Sequence, residues 1–226
     1  MVGTRIAMDI LNEFNPEEVQ DTKILLTGTT GSAYLITREP VRKLEDLKGM
    51  QIRTTGGSAG GVQALGGSPV SMPMSDAYDA MSKGVVDGVL GVTEVIRAYK
   101  LNEVAKYVTV TPFMYNGNYF LNINKEKWES IPEEWRAVIE EESNKLHEEI
   151  IPNYFDQANE DGLQFGIEES GMEVINLPED EVQRWLDILS TYNQNYAKDL
   201  DSKGLPGTEV LERIKTLAEK YNEQYK

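Results

Sequence analysis

What most limits the fold of this chain is a repeated alternation of short β-branched or aromatic runs with helix starts, each changeover marked by glycine. Residues 23–27 read as a buried strand, 28–32 as a loop and 33–37 as a second strand. Residues 44–49 form one helical turn stopped by Gly49 and lead into a short strand over 50–54. Gly56-Gly57-Ser58 opens a helix that Gly66-Gly67 ends, and residues 69–72 are extended. Ser75 and Asp76 then start a helix favoured by capping and by the dipole, with Lys83-Gly84 as its stop. A strand-like run over 85–92 precedes Thr93, which can cap a helix carrying Val95, Ile96 and Tyr99. Runs at 107–110 and 119–123 continue the rhythm, which predicts α/β architecture with largely parallel sheets.

Thr4 can cap a first helix with Ile6, Ile10, Leu11 and Phe14 at helical spacing, interrupted by Asn15-Pro16. Ser130-Ile131-Pro132-Glu133 reads as a capping box with a first-turn proline, opening a helix whose stripe is Trp135, Val138, Ile139, Leu146 and Ile150. Pro152 breaks this pattern, yet Tyr154, Phe155 and Ala158 keep the period, which predicts one long kinked helix. From Asp180 the chain is mostly helical.

With 226 residues the chain can form two lobes or one large α/β domain, and no apolar stretch approaches the roughly 20 residues of a membrane span. Lys and Arg total 22 against 38 Asp and Glu, a net charge of -16 that repels nucleic acid and anionic lipid. An anionic ligand therefore needs a strong local positive group. The absence of cysteine removes zinc-thiolate sites, disulfides and thiol nucleophiles. Residues 1–9 show no charged n-region, apolar h-region or cleavage site, so the expectation is a chain that is not exported or whose beginning is absent.

Residues 56–60 match the nucleophile-elbow pattern G-x-S-x-G, for which Ser58 would need the single histidine, His147, as base. His147 lies about 120° from Trp135 on the long helix, at the flank of its apolar stripe, and no HGGG-type oxyanion stretch exists. A glycine turn capping a helix is the simpler reading. Phosphate-loop and dinucleotide-turn patterns are absent, as is a histidine-carboxylate cluster. Residues 140–142 read as a solvated acidic face, and Met72, Met74 and Met81 as packing residues. Arg53 ends its strand beside Thr54, Thr55, Gly56 and Gly57, where a parallel sheet gives way to a helix start. Ligands of α/β folds bind at that edge, and a guanidinium there presents a fork to a carboxylate. A structural salt bridge is the competing role, and the local pattern does not choose between them.

Three segments together carry a family resemblance: Leu44 to Arg53 ("DLKG-x-x-I-R"), Leu65 to Tyr78 ("G-x-x-P-x-x-M-x-x-S/D-x-x-Y") and Gly84 to Gly88 ("G-x-V-D-G"). In order and spacing they resemble the substrate-binding proteins of TRAP transporters, the DctP family. The resemblance implies a two-lobed periplasmic-binding-protein-like α/β architecture with a long hinge-spanning helix. Its first lobe would be incomplete, because the signal peptide and first β-α units of such proteins have no counterpart here. Residues 1–30 and 119–158 would form the remnant of that lobe plus the hinge helix, with Pro152 as a kink near the hinge. Residues 31–118 and 159–226 would form the second lobe. The resemblance further implies an organic-acid ligand held by Arg53, delivery to TRAP membrane permease subunits, an extracytoplasmic location and no cofactor. The missing units leave three explanations open: a truncated gene product, a proteolysed fragment, or a homodimer that covers exposed sheet edges. The other cleft candidates are Tyr34, Thr54, Ser58, Met74, Tyr78, Gly91, Tyr115 and Asn116. Family members often have an aromatic residue in place of Met74 and a polar one in place of Gly91, which leaves a sugar acid, an aromatic acid and a short dicarboxylate all open. The alternatives are a serine hydrolase using Ser58 and His147, or a remnant that binds no small molecule.

Overall fold

A computed structural model describes residues 2–225, apart from the side chain of Pro152. In chain order the elements are α1 (Val2–Phe14), β1 (Thr22–Ser32), β2 (Tyr34–Thr37), β3 (Gln51–Thr54), α2 (Ala59–Ala64), β4 (Ser68–Ser71), α3 (Ala77–Ser82), β5 (Gly88–Gly91) and α4 (Glu94–Ala98). They continue with β6 (Tyr107–Val110), β7 (Asn116–Asn124), α5 (Lys125–Ser130), α6 (Glu133–Lys145), α7 (Ile151–Ser170), β8 (Glu173–Asn176), α8 (Glu179–Ser202) and α9 (Gly207–Gln224). The fold is mixed α/β, and no helix among the described residues is long and apolar enough to cross a membrane.

The chain forms two compact units. One comprises residues 1–31, 116–156 and 200–226, the other residues 32–115 and 157–199. The second holds a six-stranded sheet in the order β4-β3-β5-β2-β6-β8. Only β2 runs against its neighbours, pairing antiparallel with β5 and β6, while β3 pairs parallel with β4 and β5 and β6 parallel with β8. One face of this sheet packs Ile36, Val89, Val108 and Met81, the other Leu35, Ile52, Leu90 and the fully buried Trp185. The first unit holds a two-stranded sheet of β1 and β7, with α1 packed against α9.

The three motif segments build the sheet of the second unit. Asp46 accepts the backbone N–H groups of Arg42 (2.9 Å) and Lys43 (3.2 Å), and the fully buried Leu47 and Ile52 anchor the turn and strand on either side of Gly49. Asp87 and Gln51 are joined twice: the Asp87 carboxylate accepts the Gln51 N–H at 2.8 Å, and the Asp87 N–H donates to the Gln51 carbonyl at 2.7 Å. That clip sets β5 beside β3. Gly88 must then lack a side chain, since a Cβ there would lie 2.9 Å from the Ile36 carbonyl and 2.6 Å from Thr37 Cγ2.

Several expectations change. The loop expected at 28–32 is the continuation of β1, and the strand expected at 85–92 starts only at Gly88. Thr4 lies inside α1, where its carbonyl accepts the Thr27 hydroxyl at 2.9 Å, so it is no cap. Ser130 ends the short helix α5, donating to the Lys127 carbonyl at 2.7 Å; α6 starts at Glu133 with Pro132 as its N-cap. The stripe on α6 is not core-facing: Trp135 is 60% exposed, and Val138, Leu146 and Ile150 are exposed as well. The long helix does run on from α6 to α7, through a π-turn at Leu146–Ile150 just ahead of Pro152. Proline lacks the N–H that would bond four residues back, and a wider turn is one way a helix absorbs that loss. The C-terminal segment from Leu200 groups with the first unit through α1 and α9, where the sequence had placed 159–226 with the second.

Within the second unit, α7 clamps the loop leaving β5. The Thr93 hydroxyl donates to the Asn159 carbonyl (2.7 Å) and the Glu94 N–H to Asn159 Oδ1 (3.2 Å). A Cβ at Gly162 would sit 2.4 Å from the Thr93 carbonyl oxygen and 2.6 Å from Glu94 Cα, both backbone atoms that cannot turn aside. Alanine gains about 1 kcal/mol in helix propensity over glycine, but overpacking of this kind costs about 1–3 kcal/mol or more. Gly162→Ala should therefore lower the unfolding free energy in denaturant titration by about 2 kcal/mol; a rise would show that helix and loop are not in direct apposition.

Candidate ligand-binding site

The carboxyl ends of β3, β4, β5, β6 and β8 share one edge of the large sheet with the amino end of β2. From β3 the chain proceeds to β4 at the sheet margin, whereas from β5 it proceeds to β6 on the far side of β2. The connections leaving the adjacent strands β3 and β5 thus diverge, and such a switch point opens the crevice where α/β sheets bind ligands.

Arg53 stands there, opposite Val70 of β4 and Val89 of β5. It is 4% exposed, and its Nε donates to the Met72 carbonyl at 3.0 Å. Among the described residues no carboxylate lies within 4.0 Å of its guanidinium nitrogens, so the salt bridge considered from sequence is not formed. Burial pushes the guanidinium below its ordinary pKa, partly offset by Tyr115 and Tyr99 nearby. An arginine so shifted still carries its charge at neutral pH.

The other candidates divide. Tyr34 is paired in register with Gly91 and packs on the same sheet face as Ile36 and Val89, the face on which strand alternation places Arg53. Met74 belongs to this group: a Cβ at Gly91 would lie 3.2 Å from its Cε, so the methionine tip fills the space over the glycine. Tyr78 has its hydroxyl committed to the Glu103 carboxylate at 2.7 Å, which raises the phenol's pKa. Thr54 is fully buried and by alternation lies with Ile52 on the opposite face; its Oγ1 has no partner. Tyr115 Oη accepts from the Thr55 hydroxyl at 3.4 Å beside Ser58. Asn116 falls in the first unit, where it helps line an apolar cavity of about 420 Å³ with Tyr119 and Phe120. Met72 was missed as a partner of Arg53 because it contributes a backbone carbonyl, for which no sequence signal exists. The Tyr192 ring occupies the space a Cβ at Gly60 would take.

Ser58 and His147 each have a structural task. The Ser58 hydroxyl donates to the Thr55 carbonyl at 3.2 Å and accepts the Thr55 N–H at 3.3 Å. Its φ of -98° and ψ of -8° are unstrained, unlike the sharp turn of a nucleophile elbow. His147, in the other unit, is buried with Nδ1 3.0 Å from the Thr27 carbonyl, pinning the π-turn to β1. Among the described residues no group of His, Asp and Glu could hold a metal ion.

Residues 3–199 match the bacterial extracellular solute-binding protein family 7, also called DctP. The chain belongs to that family. This family 7 protein is 26% identical over 206 residues to the C4-dicarboxylate-binding periplasmic protein DctP of Rhodobacter capsulatus, covering 86% of this chain and 59% of that protein. It thus spans well under two thirds of that relative's length. Among solved structures it is similar to a TRAP periplasmic solute-binding protein from Desulfovibrio salexigens (TM-score 0.84, 26% identity, all of this chain and 70% of that one). It is also similar to a TRAP solute-binding protein from Rhodoferax ferrireducens in complex with copurified benzoate (TM-score 0.90, 21% identity, all of this chain and 71% of that one). The mixed α/β fold expected from the sequence is the fold of these proteins, and members of the family are solute receptors.

Because Ser58 serves as a turn cap, Ser58→Ala should cost about 1 kcal/mol of stability in chemical denaturation. The wild-type protein should stay unlabelled by a fluorophosphonate probe; labelling at Ser58 would revive the hydrolase.

Proposed function

We propose that this family 7 protein is the solute receptor of a TRAP-type uptake system, acting outside the cytoplasm. It binds an organic acid through an ion pair between Arg53 and the ligand carboxylate and hands the acid to a membrane permease. One observation carries the assignment: a buried guanidinium at the β3/β5 switch point with its Nε fixed by Met72 and no acidic partner among the described residues. A buried charge left uncompensated costs several kcal/mol, and an incoming carboxylate offsets that cost with two parallel N–H···O bonds. In a protein of net charge -16 it also supplies the local field that an anion requires. The C4-dicarboxylate named for the Rhodobacter capsulatus relative and the benzoate held by the Rhodoferax ferrireducens protein both carry such a group.

Tyr34, Met74 and Gly91 shape the remainder of the pocket in this proposal. Met74 over Gly91 presents a thioether surface where a polar side chain would hydrogen-bond, which favours acids with an apolar body over those bearing many hydroxyls. Pairing of two copies belongs to the same reading. The long strands β1 and β7 form a two-stranded sheet, and a doubled mass in sedimentation equilibrium would reveal a dimer built on it.

Losing one partner of a buried charge pair costs about 2–5 kcal/mol, so Arg53→Ala should weaken binding at least about 30-fold in calorimetry against a panel of organic acids. Arg53→Lys should recover only part of it, since an ammonium lacks the fork. Affinity unchanged in Arg53→Ala, with the fold intact by circular dichroism, would refute the ion pair.

A further inference from the structure

Away from Arg53, the first unit contains a polar cavity of about 410 Å³ whose charge runs against that of the whole chain. Its lining includes Lys23 of β1, Lys125 of α5 and Arg136 of α6, with Glu129 as its only acid. These cations differ in how they are engaged. Lys23 is shared between Glu140 at 2.7 Å and the ring of Trp128, 5.7 Å below its Nζ. Among the described residues the Lys125 ammonium has only a long hydrogen bond of 3.5 Å, to the Gln20 carbonyl. Arg136 has no carboxylate within 4.0 Å among the described residues, and its Nε is buried without an acceptor. A half-buried guanidinium that has lost hydration without gaining a counter-charge is a standing cost, and an anion reaching its outer nitrogens would relieve it. The amides of Asn12 and Asn15 stand on the same wall, and the buried Trp128 offers an apolar surface beside them.

We propose that this cavity is a second anion site, independent of Arg53, which takes a small organic polycarboxylate. Two observations select that class over a bare inorganic ion. Lys125 and Arg136, the two cations of the lining without a carboxylate within 4.0 Å among the described residues, can each take one carboxylate group, and the volume with its tryptophan wall suits a carbon skeleton better than a single phosphate. An occupant here would tie α6, α5 and β1 together and so stabilise the first unit; it would act as an effector of the receptor and not as its cargo.

The test uses the full chain carrying Arg53→Ala, so that its outcome does not depend on the primary site. Citrate, inorganic phosphate and sodium chloride are titrated at matched ionic strength, with heat and tryptophan fluorescence as parallel readouts. Citrate should bind saturably, and phosphate and chloride at least tenfold more weakly. Arg136→Gln should weaken citrate tenfold or more, Arg136→Lys less than Arg136→Gln, and Trp128→Phe should abolish the optical change while retaining the heat. No saturable binding of citrate, or citrate binding indifferent to Arg136→Gln, overturns the site. Phosphate binding as tight as that of citrate overturns the assignment to a polycarboxylate.

Discussion

A guanidinium held out of water, with no carboxylate within 4.0 Å among the described residues, is the constraint that sets the character of this edge of the large sheet. Arg53 occupies a stretch of the sheet edge where neighbouring connections diverge, and the hydrogen bond from its Nε to Met72 fixes the plane of the fork without neutralising it. A salt bridge would have made the same residue structural. Here desolvation lowers the pKa instead, and the unmet charge is what a ligand carboxylate can exploit.

The strands that position Arg53 are themselves set by the motif residues. Asp87 and Gln51 register β5 on β3, Gly88 lets β2 approach, and Asp46 closes the turn that feeds β3. On the far side of the site, Asn159 and Gly162 bring α7 against the backbone at Thr93 and Glu94, so the loop leaving Gly91 rests on a helix and not on solvent.

Much of this was legible in the amino-acid sequence because it is written in short-range patterns. Alternating apolar runs, glycine stops and the three motif segments located β3, β4 and Arg53 to within a residue and β5 to within three. What escaped depends on tertiary neighbours. The antiparallel course of β2 cannot be told from a parallel strand by its composition, and the extension of β1 through Gly28 to Ser32 overrides the local turn preference of glycine and threonine by pairing with β7. The exposure of Trp135 and Val138 is invisible to helical periodicity, which shows that a stripe exists but not whether anything covers it. Ser58 and His147 looked like a dyad only while their backbone partners at Thr55 and Thr27 were unseen.

The most direct measurement is a crystal structure of the protein grown with the organic acid that calorimetry ranks tightest. The account predicts a ligand carboxylate in parallel, two-point contact with the paired Nη atoms of Arg53, at about 2.7–2.9 Å, beside Tyr34, Met74 and Gly91. A carboxylate held by other residues, with Arg53 turned away or paired to a protein acid, would contradict it.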